Sequence, residues 1–544
     1  MPQTPDPVAA LHGVVAATAA ELKGGPLTLP RLERPPKAEF GDYSSNAAML
    51  LAPVLGEPPR AVAERLGEAL GAKLGADLDR VDVAGPGFLN LFMSDAWCRG
   101  ALGTMVDSGD SFGGGVMAAP ERILVEFVSA NPTGPITVAA ARHAAYGDSL
   151  CRILSMAGHD VDREYYVNDH GTQVRLFGES IRARARGEEP PEGGYEGDYV
   201  AGVADRIPGA ADMDPDELAT IGVGLMLEEI RATLERFRVH YDQFFSERSL
   251  HEAGAIEAVI GLLEQGEHIY PHEDAVWLRT TTFGDDKDRV VMRGTGEITY
   301  FGGDIAYHRD KLERGYDRIL GVLGADHHGY VERMKAAWQA LGGDEAAIEY
   351  VIMQLVNLTE GGERVQMSKR RGQIVTLDDL LDDIGVDAAR FFLLQRSHDT
   401  TLDLDLDLAR TKSQDNPVYY VQYAHARIAS ILRKAGEDRV AVALGKNLSE
   451  SPEQLHPSAR ILLKKMLEFP GEIETAAERR APHRLTTYAH ETAHDFSAFY
   501  RDCKVVGAAE EGGDEDFRIA LSEQARRLLA KSLELVGVSA PQEM

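Results

Sequence analysis

Just past residue 120 the chain reads Ile123-Leu124-Val125-Glu126-Phe127-Val128, an apolar run broken by one carboxylate. A compact turn follows, Ser129-Ala130-Asn131-Pro132-Thr133-Gly134-Pro135, then an alanine-rich stretch to Ala157 and a second strand-like run, Arg163–Asp169. A run apolar on both faces reads as a strand buried on both sides, as in parallel sheets covered by helices. Strand, turn, helix, strand is the opening of a doubly wound sheet. The expected fold is therefore α/β, with a Rossmann-type parallel-sheet catalytic domain. Such sheets bind ligands beyond the carboxyl ends of their strands, where a helix N-terminus favours phosphate. A helix over about Ile136–Ala157 predicts that site at Ser129–Pro135.

Glu126 is the anomaly in that strand. A buried carboxylate costs free energy unless it is paired. A guanidinium, planar and permanently charged, is the cation that carboxylates hold best. A substrate pocket for such a group and a buried structural ion pair both fit Glu126. Asp304, in Tyr300–His308, is a second candidate carboxylate. In Gly324–Tyr330, Asp326 follows an apolar strand end and can face a cationic ligand. His327 and His328 are adjacent, so their side chains diverge, and no third ligand is evident; no metal site is expected. Far downstream, Met367-Ser368-Lys369-Arg370-Arg371-Gly372 reads as a lysine loop that closes on phosphates and supplies charge in the transition state.

Residues 1–115 read as a small N-terminal α/β domain. It has a helix near Val8–Leu22, a turn at Arg34-Pro35-Pro36, and a helical run from Ser44 to about Leu55. A further helix runs from Pro59 to about Leu70 with Gly71 as its stop, and two strands flank Gly85-Pro86-Gly87. Gly113–Gly115 with Ala118–Pro120 reads as a linker. Residues 186–215, rich in glycine, proline and acid, read as an insertion or surface loop. Further strands are expected at Ala275–Thr280, Arg289–Arg293 and Arg318–Gly324, with a short half-buried one at Thr401–Ala409. From Asn416 onward apolar residues recur at three- and four-residue spacing, which predicts a C-terminal α-helical bundle. The domains are then 1–115, 120–400 and 401–544.

The formal charge of −30 argues against nonspecific nucleic-acid binding, although a local basic stripe suffices for a specific partner. Candidates are Lys369-Arg370-Arg371, Arg433-Lys434, Lys464-Lys465 and Arg479-Arg480; each also reads as a solvated face. Cys98, Cys151 and Cys503 are widely spaced, which predicts neither disulfides nor a zinc knuckle and suits a reducing, cytoplasmic setting. No apolar run approaches the ~20 residues of a membrane span, so no membrane partner is expected.

Several long segments then point one way: PPKAEFGDYSSNAAMLLA, AGPGFLNLF, EFVSANPTGP, REYYVNDHGTQ, TYFGGDIAYHRDKLERG, GADHHGY, QMSKRRG, GVDAARFF and NPVYYVQYAHARI. Over nearly its whole length the chain resembles the bacterial arginyl-tRNA synthetases, a class I family. The resemblance implies activation of L-arginine with ATP, accompanied by Mg2+, and transfer to the 3′ end of tRNA(Arg) once tRNA is bound. It implies that 1–115 meets the tRNA elbow, that 120–400 is catalytic with insertions, and that 401–544 binds the anticodon. A monomer is expected. Carried over residue by residue, Glu126 and Asp304 face the substrate, Tyr300 lines the arginine side chain, and Ser129 and Asn131 hold its head. ATP falls to Pro132, Thr133, Gly134, Pro135, Thr137, Ala140, Gly324, Asp326, His327, Met367, Ser368 and Lys369. Thr137, Ser368 and Lys369 are the catalytic set, and Tyr500 and Met544 resemble residues of the tRNA surface.

One element departs from the family. Where the resemblance implies His-Val-Gly-His, this chain has Thr137-Val138-Ala139-Ala140, without either imidazole. The Thr137 hydroxyl can still donate a hydrogen bond. His143 shares the face of Ala140 about 4.5 Å further along the helix. Thr137, helix N–H groups and Lys369 are the groups expected to stabilise the pentavalent phosphate; His143 is a further candidate that reads more readily as a plain helix residue, the displacement being large for a ~3 Å contact.

Overall fold

In the computed structural model, which describes residues 4–35, 37–365, 375–450 and 454–544, five strands form one parallel sheet. They are β1 (Arg122–Glu126), β2 (Asp160–Val167), β3 (Gln243–Ser246), β4 (Arg318–Gly324) and β5 (Ile348–Met353). Across the sheet the order is 3-2-1-4-5, with every pairing parallel. The winding reverses between β1 and β4, and in such sheets the crevice outside the strand ends at that point receives the ligand.

β1 ends at Glu126, two residues short of the expected Val128. Val128 and Ser129 instead take left-handed φ values of 70° and 43°, a conformation that costs side-chain-bearing residues about 1–2 kcal/mol each. Helix α1 (Val138–Ala157) starts two residues later than its alanine content suggests, because Thr137 is its N-cap. The Thr137 side-chain oxygen accepts from the Ala140 N–H at 3.4 Å. The preceding turn is fastened by Val138 N–H to the Val375 carbonyl and by Leu377 N–H to the Ile136 carbonyl. α1 lies close on the sheet; a Cβ at Gly147 would fall 2.2 Å from the Phe127 ring.

Two insertions interrupt the winding. Between β2 and β3 lie the helices Thr172–Ala185, Asp198–Asp205 and Pro215–Arg236. The expected loop at 186–215 thus contains a helix, because Val200 and Val203 find a small core of their own. Between β3 and β4, Ile269–His272, Ala275–Leu278 and Arg289–Met292 form an antiparallel sheet. The strands expected at Ala275 and Arg289 exist but do not join the central sheet. Helix α2 (Tyr300–Glu313) then leads into β4.

At the N-terminal end, helices Pro7–Lys23, Ala47–Leu55 and Pro59–Leu74 pack on an antiparallel three-stranded sheet around a separate core. Ser44 belongs to the strand Tyr43–Ser45, paired with Leu89–Leu91, so the expected helix begins only at Ala47. Gly71 does not stop its helix; Gly75, with a positive φ, does. Thr401–Ala409 divides into a strand, Leu402–Asp405, and a helical turn, Leu406–Arg410. The C-terminal region is helical, from Pro417–Ala435 through Glu515–Leu535. Lys464 and Lys465 correct the reading of a basic stripe or solvated face: both are buried. Lys464 meets Asp42 of the N-terminal unit at 2.9 Å, and Lys465 meets Glu468 and Glu491.

Candidate active site

A cavity of about 860 Å³ opens at the reversal point between β1 and β4, within the size range of small-molecule sites. Two ends can be told apart by the groups that line it. One is acidic and aromatic, with Glu126, Glu247, Asp304, Tyr166, Tyr307, Tyr330 and Tyr350. The other is formed by Thr137, Ala139, Ala140 and His143 of α1 with Gly324, Ala325, Asp326 and His327 after β4. Ser129, Asn131 and Tyr300 also line it, and Tyr300 is 62 % exposed at its mouth.

At the acidic end the carboxylates differ in their commitments. Glu126 Oε2 accepts from Lys311 Nζ at 2.5 Å, and Oε1 accepts from the Ser129 hydroxyl at 2.9 Å. Ser129 Oγ in turn accepts from the Tyr166 N–H at 3.1 Å. This chain of contacts holds the left-handed turn after β1. Behind it, buried Glu164 accepts from the Tyr307 hydroxyl at 2.5 Å and from Arg314 at 2.6 and 3.0 Å.

Asp304, in the second turn of α2, is less well compensated. Burial, with the neighbouring Glu126 charge, raises its pKa to about 6, against a hydrogen bond from Tyr330 and the charge of Lys311. Glu247, the first residue after β3, is pushed up to about 7 by burial and by the charges of Asp304 and Asp169. Its Oε2 is buried without a hydrogen-bond partner. Two carboxylates facing one cavity and incompletely paired are poised for a cation. His308 fixes the wall beside them. Its Nδ1–H donates to the Asp304 carbonyl at 2.7 Å, and the Tyr350 hydroxyl donates to Nε2 at 2.7 Å. Burial pushes this imidazole down to about 3, so it is neutral.

The α1 end offers the Ala139 N–H, the Thr137 hydroxyl, the Asp326 carboxylate and the His143 ring, the Val138 and Ala140 N–H groups being already bonded to Val375 and Thr137. Arg142 beside it is fully buried and donates to the carbonyls of Gln354, Ser397 and Thr400, each at 2.9 Å. The α1 end is thereby tied to the connection just after β5 and to the turn that precedes the strand Leu402–Asp405.

Of the residues expected to touch substrate, Glu126, Ser129, Asn131, Thr137, Ala140, Tyr300, Asp304, Gly324, Asp326 and His327 converge on this cavity. Pro132, Thr133, Gly134 and Pro135 do not line it; the Tyr199 hydroxyl covers that turn, donating to the Thr133 carbonyl at 2.9 Å. Met367, Ser368 and Lys369 lie outside the described residues. Tyr500 and Met544 are exposed in the C-terminal region, with Tyr500 stacked on Phe496 and under the Arg427 guanidinium. Sequence reasoning missed Glu247. Its signal was an acid one residue beyond the apolar Phe244-Phe245 pair, across Ser246 and just past the end of its strand.

A DALR anticodon binding domain matches residues 421–544, and an arginyl-tRNA synthetase N-terminal domain matches residues 9–93. A Mycobacterium tuberculosis methionyl-tRNA synthetase, solved with methionyl-adenylate, shares the fold at a TM-score of 0.56 and 13% identity, over 77% of this chain and 92% of that one. A parallel sheet with its crevice at the reversal point, joined to anticodon-type helices, is the build of an aminoacyl-tRNA synthetase. The arginine–tRNA ligase of Frankia alni is 46% identical, covering 98% of both chains. That of Clavibacter sepedonicus is 45% identical, covering 99% of this chain and all of the relative. The Thermus thermophilus arginyl-tRNA synthetase structure superposes at a TM-score of 0.76 with 24% identity, over 99% of this chain and all of that one. The chain belongs to the arginyl-tRNA synthetases, the ligases that join arginine to tRNA.

Proposed function

We propose that the acidic end of the cavity takes the arginine side chain and that the α1 end takes ATP. The guanidinium sits between Asp304 and Glu247, whose carboxylates have capacity left, with Tyr300 closing over the aliphatic stem. Glu126 is already bonded by Lys311, so it acts mainly by holding Ser129, which with Asn131 receives the amino-acid head. The triphosphate lies at the N-terminus of α1, on the Ala139 N–H and Thr137, with Ala140, Gly324, Asp326 and His327 around the nucleotide. ATP arrives as its Mg2+ complex, the ion carried by the phosphates. Ser368 and Lys369 are assigned by the resemblance to the phosphates, and Pro132–Pro135 support the turn from behind.

A carboxylate oxygen of L-arginine attacks the α-phosphorus, and pyrophosphate leaves with the bonding pair. A hydroxyl of the terminal ribose of tRNA(Arg) then attacks the acyl carbon, losing its proton as AMP departs. Positioning and charge stabilisation supply most of the rate. Residues 1–115 serve the tRNA elbow, 120–400 the chemistry and 401–544 the anticodon, with Tyr500 and Met544 at that surface. The enzyme works as a monomer in the cytoplasm; the buried free thiols of Cys98 and Cys151 suit a reducing compartment.

The observation that carries this reading is the meeting of three carboxylates, Glu126, Asp304 and Glu247, with the start of α1 in one cavity. Labelled arginine, ATP and total tRNA incubated with the purified protein should give acid-precipitable arginine. Saturable tRNA binding without product would instead leave a binding module. Pyrophosphate exchange without charging would point to another acceptor.

A further inference from the structure

His143 lies on α1 three residues beyond Ala140 and faces the same cavity. Its ring packs beside the backbone of Gly324, where an added Cβ would stand 3.6 Å from Cε1. Neither ring nitrogen takes part in a hydrogen bond among the described residues. Burial and the adjacent Arg142 guanidinium, against the charge of Asp326, push the imidazole down to about 4, so the ring is neutral at physiological pH. One nitrogen then donates and the other accepts.

Position separates two possible partners for this ring. The helix N–H groups that suit a triphosphate belong to the first turn of α1. His143 is five residues past Val138, roughly 7.5 Å further along the axis. A triphosphate seated on that first turn puts its nucleoside, rather than its reacting phosphorus, over His143. The surroundings agree. Gly324 has no side chain to block a flat or puckered ring, and the exposed Asp326 carboxylate offers an acceptor for a hydroxyl. A neutral donor–acceptor suits a ribose or a base, whereas a phosphate is better met by a cation.

We propose that His143 is a nucleoside-binding residue of the ATP site, hydrogen-bonding the ribose or the base, and not a stabiliser of the pentavalent phosphate. This rests on the ATP site assigned above and replaces the phosphate role that spacing alone suggests.

The test is steady-state aminoacylation by the full-length protein with saturating tRNA, varying ATP and arginine in turn. His143→Ala should raise the KM for ATP about five- to tenfold, the range of one neutral hydrogen bond. It should leave kcat and the KM for arginine within about twofold of wild type and the melting temperature unchanged. His143→Asn, which keeps a donor and an acceptor, should recover part of the ATP affinity. An unchanged KM for ATP overturns the proposal. So does a fall in kcat at constant KM, which would put the ring on the reacting phosphate. A lowered melting temperature with both KM values raised, unrescued by His143→Asn, overturns it in favour of a packing role. Wild-type protein that shows no ATP dependence at all defeats the ATP site itself, a failure distinct from these.

Discussion

Lys311 Nζ lies 2.5 Å from Glu126 Oε2, and the lysine is only 2 % exposed. The carboxylate that breaks the apolar run of β1 therefore meets an internal cation before any substrate arrives. Its other oxygen holds Ser129. The two readings that the sequence left open for Glu126, substrate carboxylate and structural ion pair, meet in one residue: the pair builds the turn on which the amino-acid head is to rest.

Lys311→Met should expose that dependence. Removing the cation leaves Glu126 in a mostly buried position with one hydrogen bond, and breaking a buried pair typically costs about 3–5 kcal/mol. Urea denaturation should show a loss toward the lower end of that range, since Glu126 keeps partial exposure. The double variant Lys311→Met/Glu126→Gln should recover part of it, because no unpaired charge remains. A single variant as stable as wild type would show that the pair contributes nothing.

The arginine KM should depend on pH while the ATP KM does not. Burial and neighbouring carboxylates push Glu247 up to about 7 and Asp304 up to about 6. The substrate guanidinium stays charged throughout. Affinity should then rise as pH climbs through 6 and 7 and level off near 8. Stability runs the other way. Both folded values exceed the reference values of 4.5 and 3.8. The stability these groups contribute is full below those references and is lost as pH rises through 6 and 7. Arginine KM measured from pH 5.5 to 8.5 decides the matter; a flat profile removes both carboxylates from the guanidinium site.

Glu247→Gln should separate binding from folding. A charge-assisted contact to the guanidinium is worth about 1.5–3 kcal/mol, or roughly 10–100-fold in arginine KM. Because this carboxylate is poorly compensated in the free protein, the variant should melt no lower than wild type above pH 7. Comparing arginine KM with the melting curve checks both halves. An unchanged KM would assign Glu247 to the wall rather than the substrate.

How much of this site was legible in the sequence follows from what fixes each part. The strand–turn–helix opening was readable because β1 is apolar on both faces and α1 is rich in small residues that pack on the sheet. Glu126 stood out against that background. Its partner Lys311 did not, since 185 residues separate them and a lysine reads as solvent-facing until a fold buries it. Glu247 was hidden in the same way: only the order 3-2-1-4-5 brings the end of β3 near the end of β1. The strands at Ala275 and Arg289 were visible as strands. Their membership in a separate antiparallel sheet depends on pairing, which local pattern does not encode. Lys464 and Lys465 misled because a basic pair looks like a nucleic-acid stripe, whereas their carboxylate partners include Asp42, more than 400 residues away.

That last contact yields a prediction about how the N-terminal unit is attached. Asp42 accepts from Lys464 at 2.9 Å and from Arg460 at 2.7 Å, while its Oδ2 also accepts from the Met93 N–H at 2.8 Å. Burial alone would raise the Asp42 pKa, but the two cations hold it below the usual carboxylate value of 3.8. Its stabilising contribution is therefore present above that value and is lost as pH falls through the lowered one. Asp42→Asn keeps the shape but leaves buried Lys464 without its anion, while Arg460 retains Asp95. The expected cost is about 3 kcal/mol, seen in chemical denaturation near neutral pH. Because the contact joins the N-terminal unit to the helical C-terminal region, limited proteolysis should also speed up around residues 113–120. Adding Lys464→Met should return part of the stability by removing the unpaired ammonium. If Asp42→Asn unfolds at the wild-type denaturant concentration and resists protease equally well, the two regions are held together by their apolar contacts instead.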